Sequence, residues 1–380
     1  MSTYLDYAAT SAVRPPEVIS AVTEFLRDIG ATPGRSGHSR SLEAGRIALT
    51  CRQRLAELLG IAGDPGRITF QLNATHALNV AIRGVLEPGD RVVRTRLDHN
   101  AVRRAVAALL VDGVGESVLE VDALGRIDPD QLRVQLAGDG EPAKLLVVPH
   151  ASNVTGAVLP VQEMARIARE FDTLVLVDLA QTAGHYPVDV DGMDVDLAAF
   201  TGHKGLLGPQ GIGGLWVREG VRVHPLIHGG TGGDSLPAEM PAAYPDHLEA
   251  GSQNAPGIAG LSAGVKWLLE RGIASIREAE AALTRRLADG AGGIPGVRIC
   301  SAIEGQTVGI VTIVHDRIDP GEIARRVERS HGIEGRPGLH CAPDAHAVIG
   351  TLGTGAFRMS LGWASTAADV DRALAALGSM

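Results

Sequence analysis

The 380-residue chain reads as an α/β protein whose larger part holds a mostly parallel sheet and whose smaller C-terminal part is α+β. Three observations predict this. Helical and strand patterns alternate through the first two-thirds of the sequence. The strand-like runs, such as LVLVD at 174–178, are apolar throughout, as strands covered on both faces are. Beyond about residue 256 the texture changes to paired helices followed by short strands.

The elements follow in order. PPEVISAVTEFLRDIG (15–30) sets Val18, Ile19, Val22, Phe25, Leu26 and Ile29 on one helical face behind two prolines suited to a helix start. SLEAGRIALTCRQRLAELLG (41–60) repeats the pattern and stops at Gly60, a C-cap residue. RITF (67–70) is a short strand, and NATHALNVAIRGVL (73–86) is a helix starting at Asn73 or Thr75. Further strands are expected at 91–94, 144–150, 173–178, 197–200 and 212–217. Helices GIAGLSAGVKWLLERG and IREAEAALTRRLADG come next, then strands VRICSA and VGIVTIVH, a helix PGEIARRVERS, and a last helix from about Thr366 to Leu377. The segment IHGGTGGDS (227–235) is the most loop-like stretch and a candidate binding loop.

Composition excludes several classes. With 35 basic against 44 acidic residues, a net charge of -9 opposes non-specific nucleic-acid binding and anchoring to anionic membranes. No apolar run approaches the roughly 20 residues a bilayer span needs. The start MSTYLDYAATSAVRPPE lacks the pattern of a signal peptide. Three dispersed cysteines form no disulfide framework and no CxxC pair, so neither zinc nor any other metal is expected. The expectation is a reduced, cytoplasmic protein of enzyme size.

Chemistry begins with scarcity. Only three lysines occur, at 144, 204 and 266, and the remaining basic residues are arginines. Lys204 stands in AAFTGHKGLLGPQGIGG (198–214), among glycines and small residues. A lysine can lose its proton and attack a carbonyl, whereas arginine stays charged, so Lys204 is a candidate Schiff-base lysine. Asp178 ends an apolar strand, where α/β sheets place ligands. It is suited to pair with a protonated pyridine nitrogen, a helix cap or structural salt bridge being the plainer alternative. Gln181 follows, able to donate to a phenolate oxygen. Thr201 and His203 flank the lysine and suit a phosphate, and the helix start at Ala74 and Thr75 offers a second anion cradle. A carboxylate, a lysine and two anion cradles together are what pyridoxal 5'-phosphate requires.

These segments, VDLAQTAG and FTGHKGLLGPQGIGGLWV with YLDYAATS (4–11) and FRMSLGWASTAADVD (357–371), resemble the class V aminotransferase superfamily, and within it the cysteine desulfurase and selenocysteine lyase branch. The resemblance spans almost the whole chain. It implies the pyridoxal-phosphate-dependent fold type I, aspartate aminotransferase-like, with a large domain at 15–255 and a small one made of 1–14 with 256–380. It implies that Lys204 carries the cofactor, Asp178 pairs with the ring nitrogen and Gln181 contacts the ring oxygen. Ala74, Thr75, Thr201 and His203 are expected around the phosphate, with His99 stacked on the ring. Asn153 is expected on the substrate side, and Arg358 at the substrate carboxylate through bidentate pairing. Thr231 is expected to reach the phosphate of a neighbouring subunit, implying a homodimer.

The cysteines separate the possible reactions. Cys51 shares a helical face with Ile47, Leu55 and Leu58 and reads as a core thiol; Cys300 follows a strand without polar company. Cys341, in RPGLHCAPDAH, reads as an exposed loop thiol whose neighbours His340 and His346 would favour its thiolate. The resemblance places the sulfur nucleophile there. The expected reaction converts L-cysteine to L-alanine and leaves a persulfide on Cys341, with Lys204 moving the Cα proton, His99 shuttling protons, and a sulfur-acceptor protein as a possible partner. A selenocysteine lyase, another C–S lyase or an ordinary transaminase are the alternatives. His76 and the SQN triplet at 252–254 depart from the family pattern.

Overall fold

The computed structural model describes residues 2–34, 37–233 and 236–380. A short strand β1 (Thr3–Tyr4) precedes helices α1 (Pro16–Glu24) and α2 (Ser39–Leu59) and strand β2 (Ile68–Gln71). The chain then alternates through α3 (Ala74–Val85), β3 (Arg91–Thr95), α4 (Asn100–Leu110), β4 (Gly115–Leu119), α5 (Pro129–Ala137), β5 (Leu145–Pro149), α6 (Val161–Arg169) and β6 (Leu174–Asp178). Strands β7 (Leu197–Thr201) and β8 (Gly213–Val217) complete this part. After helices α7 (Ala255–Arg271) and α8 (Ile273–Gly292) come β9 (Val297–Ile299), β10 (Ile310–His315), α9 (Pro320–His331) and β11 (Ile333–Glu334). The last elements are β12 (Arg336–Gly338), α10 (Pro343–Val348), β13 (Ala356–Ser360) and α11 (Ala367–Gly378).

Seven strands form the central sheet in the order β2-β8-β7-β6-β5-β3-β4. Pairing is parallel from β4 through β7, while β8 runs antiparallel to both β7 and β2. The apolar strands are covered on both faces. Leu146, Val148, Val177 and Ala198 pack toward Leu55, Val265 and Leu268; Leu145, Val147, Leu176 and Ala199 pack toward Leu78, Val102 and Val106. Alternate residues of one strand thus feed two cores, so polar positions have no place in these runs.

Helix α1 differs from its sequence pattern. Val18 and Phe25 are buried, but Ile19 and Leu26 are 62% and 64% exposed. The helix widens into a π turn at Phe25–Ile29 and ends at Gly30 in a left-handed conformation. It packs along one side, so the broad apolar face is only half used. Helix α2 ends at Gly60 with φ 65, as its sequence predicts.

A four-stranded antiparallel sheet, β12-β13-β10-β9, forms the second layer system, and β1 pairs in parallel with β11. The N-terminal segment therefore crosses to the C-terminal part of the chain. Helix α7 packs against α1 and α2, whereas α8 packs against α11 and the small sheet. No helix among the described residues is long and apolar enough to cross a membrane.

Helix α2 is tied to the sheet by a buried ion pair. Arg52 donates to Ile68 O at 2.9 Å and grips both Glu249 oxygens at 2.6 and 2.8 Å, and Glu249 accepts from Phe70 N at 2.6 Å. Removing the cation would strand a buried carboxylate. Arg52→Met is expected to destabilise the protein by about 3–5 kcal/mol in chemical denaturation; a loss below about 1 kcal/mol would mean the pair behaves as an exposed one.

Candidate active site

Three parallel strands end at one place. Pro149 closes β5, Asp178 closes β6 and Thr201 closes β7, and all three line a single cavity. This is the carboxyl edge of the sheet, where strand ends and following loops converge. Ala74, Thr75, His99, Asn153, Gln181, His203, Lys204 and Arg358 line the same cavity. Of the site residues named from sequence, Cys341 and Thr231 alone lie elsewhere.

Lys204 sits in the tight turn after β7, and the turn explains the glycines around it. A Cβ on Gly205 would fall 2.4 Å from Ala183 O, so the loop can approach the β6 turn only without a side chain. Ser11 Oγ donates to Lys204 O at 2.9 Å and Ser11 N to His203 O at 2.9 Å, binding the N-terminal segment over the turn. Burial, with Arg358 and Arg336 adding, pushes the Lys204 ammonium down to about 8, against the opposing pull of Asp178 and Asp6. The amine is thus far closer to its nucleophilic form near neutral pH than a solvated lysine.

Asp178 is buried, and one of its carboxylate oxygens accepts from Ala180 N at 2.9 Å. Burial raises its carboxyl above the usual range, while the Ala180 hydrogen bond and Lys204 pull it down. A carboxylate held this way is stabilised by a cation in the cavity. Gln181 spends its Nε2 on Ala8 O at 3.1 Å.

Two anion-binding features meet at one end. Asn73 caps α3 by accepting from His76 N at 2.9 Å, which leaves the N–H groups of Ala74 and Thr75 at the cavity. Thr201 Oγ1 is buried without a partner, an orphan that a phosphate oxygen would satisfy. His203 Nδ1 bonds Thr10 Oγ1 at 3.0 Å, and burial with Lys204 lowers the ring to about 4. Thr10 Oγ1 also donates to His203 O at 3.1 Å, so the threonine holds both the ring and the backbone of His203 at the cavity.

His99 caps α4, its Nδ1 accepting from Ala101 N at 3.0 Å. Burial and then Lys204 push it down to about 4, so the ring is neutral with its proton on Nε2. In this geometry it offers a hydrogen-bond donor; relaying a proton requires it to release the cap.

Arg358 is not the surface residue that its isolated position in sequence allows. It is 1% exposed, donates from Nη1 to Asn153 O at 2.9 Å and from Nη2 to Asp6 Oδ1 at 2.7 Å, and its Nε is an orphan. Asn153 in turn donates from Nδ2 to His340 O at 2.7 Å.

Cys341 is exposed and stands outside the cavity wall, but both His340 and Arg336 on its turn line that wall. Arg336 Nη2 lies 3.6 Å from its sulfur, and its carbonyl accepts from Asn100 N at 2.7 Å. His340 and Cys341 both adopt positive φ, 48 and 57 degrees. Non-glycine residues held there cost on the order of 1–3 kcal/mol each, so the surroundings must hold the turn. The expectation that His340 and His346 favour the thiolate is corrected. Both are buried, and burial with Arg358 lowers them to about 3 and about 4, so they carry no charge to lend. The cation beside the sulfur is Arg336, which sequence reasoning missed; its signal was an arginine opening the RPGLHC turn. Asp6, the partner of Arg358, was missed as well.

Thr231 lies with Thr32, Pro33, Gly34 and Asp246 around a separate depression. Residues 234 and 235 of the same Gly-rich loop lie outside the described residues. His76 and Gln253 line a neighbouring cavity, not that of Lys204. Cys51 is wholly buried, its thiol pushed up to about 12, and burial raises Cys300 too.

The chain is similar to known proteins over nearly its whole length. The profile of the aminotransferase class-V family matches residues 3–373. A probable cysteine desulfurase of Methanothermobacter thermautotrophicus is 33% identical over 374 residues, spanning 97% of this chain and 92% of that protein. Probable cysteine desulfurase 2 of Mycobacterium leprae is 32% identical over 98% of this chain and 90% of its own length. The apo structure of a cysteine desulfurase from Thermococcus onnurineus superposes with a TM-score of 0.91 at 27% identity, covering 100% of this chain and 94% of that one. Fold type I, with its mostly parallel sheet and C-terminal domain, is therefore the fold, and pyridoxal 5'-phosphate the cofactor that the family uses.

The titration of Lys204 is open to test. Binding of pyridoxal 5'-phosphate to the apoprotein requires the neutral amine, so its rate is expected to rise with pH through a midpoint near 8. Asp178→Asn removes an anion that favours the ammonium, and the midpoint should move lower. A midpoint at the ordinary lysine value would show that burial does not act on this amine. With the cavity, its amine and its whole-chain relatives established, this chain belongs to the class-V aminotransferase family.

Proposed function

We propose that the chain is a cysteine desulfurase, releasing L-alanine from L-cysteine and retaining the sulfur on Cys341. One observation carries this: the turn bearing the exposed Cys341 is built from His340 and Arg336, which also line the Lys204 cavity. A transaminase has no use for such a thiol.

The residues divide the task. Lys204, Asp178 and Gln181 would hold the pyridine ring and its aldehyde, and Ala74, Thr75, Thr201 and His203 the phosphate. The cofactor supplies an electron sink for the bonds to Cα. Lys204, lowered toward neutrality, can take a proton from Cα and return it. Arg358 holds the substrate carboxylate, for which its orphan Nε and its place in the cavity are suited. His99 donates Nε2–H to a group in the cavity.

The Cys341 thiolate then attacks the substrate sulfur. A sulfur–sulfur bond forms and the Cβ–sulfur bond breaks, its electron pair remaining with carbon, which takes a proton to become the methyl of alanine. Arg336 places a guanidinium 3.6 Å from the attacking sulfur. The other two cysteines are buried, so only Cys341 is reachable by substrate or by a sulfur-acceptor protein.

A homodimer fits this scheme. Thr75 is exposed at the cavity of the single chain, as are the apolar side chains of Leu72 and Ile227 nearby in the neighbouring cavity. Thr231, distant from its own chain's cavity, would serve the phosphate of a second copy. A thiol that must stay reduced fits a cytoplasmic setting.

Cysteine and a reductant supplied to the holoprotein are expected to yield alanine and sulfide. Cys341→Ala should lose sulfide release while keeping its yellow colour. Undiminished release in that variant would remove Cys341 from the reaction.

A further inference from the structure

Behind the Cys341 turn lies a chain of hydrogen bonds that starts at the cavity wall, at Arg336 and His340, and leads away from it. His340 Nε2 lies 2.9 Å from Arg336 O, His340 Nδ1 lies 3.0 Å from His346 Nε2, and His346 Nδ1 lies 2.6 Å from Thr351 Oγ1. The rings are stacked, with centroids 5.2 Å apart. His340, His346 and Thr351 are 3%, 0% and 3% exposed, and His346 does not line the Lys204 cavity.

One carbonyl sets the proton order for neutral rings in this chain. A carbonyl only accepts, so His340 Nε2 carries its proton toward Arg336 O. Neutral His340 therefore accepts at Nδ1, and His346 must donate from Nε2. His346 then accepts at Nδ1 from the Thr351 hydroxyl. That order holds while both rings are neutral, which burial and the guanidinium of Arg358 on β13 favour for both, with Arg336 on β12 acting on His340 as well. A second set of bonds grips the same turn from the sheet side: Asn153 Nδ2 to His340 O at 2.7 Å and Asn100 N to Cys341 O at 2.7 Å.

We propose that the relay from Thr351 through His346 to His340 and Arg336 O positions the nucleophile, holding Cys341 and the Arg336 guanidinium together at the cavity mouth. His346 is thus a positioning residue for the sulfur-transfer step, acting without contact to substrate or cofactor. The inference rests on Cys341 being the sulfur acceptor. It explains why two consecutive non-glycine residues keep left-handed backbones there: the imidazoles over-determine the turn.

The test compares the holoprotein with His346→Leu, His346→Gln and Thr351→Val. Leucine fills space but leaves His340 Nδ1 unpaired, whereas glutamine can still donate from its amide. In His346→Leu, deuterium uptake by the peptide covering 336–342 should rise, with the central strands unchanged. Its kcat for alanine formation should fall about tenfold with KM within about twofold, the size expected when a buried acceptor loses its donor. His346→Gln should recover most of both losses. Thr351→Val, a near-isosteric change, should give the same pattern more weakly and keeps the test intact if His346→Leu does not fold. Unchanged uptake at 336–342 in both His346→Leu and Thr351→Val would overturn the relay, as would a glutamine variant as impaired as the leucine one. Alanine formation that survives Cys341→Ala would refute the nucleophile itself, and the exchange data would still decide whether the relay holds the turn.

Discussion

An amine buried beside a buried carboxylate is the constraint on which the rest of the site depends. Lys204 and Asp178 both lose solvation at the carboxyl edge of the sheet, and each partly offsets the other's penalty. Neither can be satisfied by the other alone, because the fold also brings Arg358 and Arg336 within range of the lysine. The result is an amine held near its titration point and an acid in want of a cation. A ring that offers an aldehyde to the first and a protonated nitrogen to the second resolves both at once.

The second layer of the design is a division of labour between the two sheets. Strands β6 and β7 end in Asp178 and Thr201, which the proposed function assigns to the cofactor, while β12 and β13 of the small sheet supply Arg336 and Arg358. Asp6 and Ser11 stitch the two together from the N-terminal segment, through Arg358 and the Lys204 turn. The thiol is fixed on the small-sheet side. Its exposure suits the proposed reaction, in which it meets the substrate's sulfur, and its geometry has to come from buried neighbours instead of from its own packing.

Much of this was legible in sequence, for physical reasons. Apolar runs such as LLVVP and LVLVD carry their two-sided burial in their composition, and Asn73 and Gly60 mark helix ends by local chemistry alone. Lys204 stood out because lysine is so rare in this chain. What escaped were relations between distant segments. Nothing near Asp6 announces that it will pair with Arg358, and nothing in RPGLHC tells whether its histidine lends charge or hydrogen bonds. Periodicity also overstated α1, whose Ile19 and Leu26 stay exposed, because amphipathic spacing records what a helix can bury and not what its neighbours cover.

The central claim is that the amine at position 204 joins the cofactor. Borohydride reduction of the reconstituted protein, followed by peptide mapping, tests it most directly. The expected outcome is a single pyridoxyl modification at Lys204. Modification at Lys144 or Lys266 instead, or none at all, would contradict it.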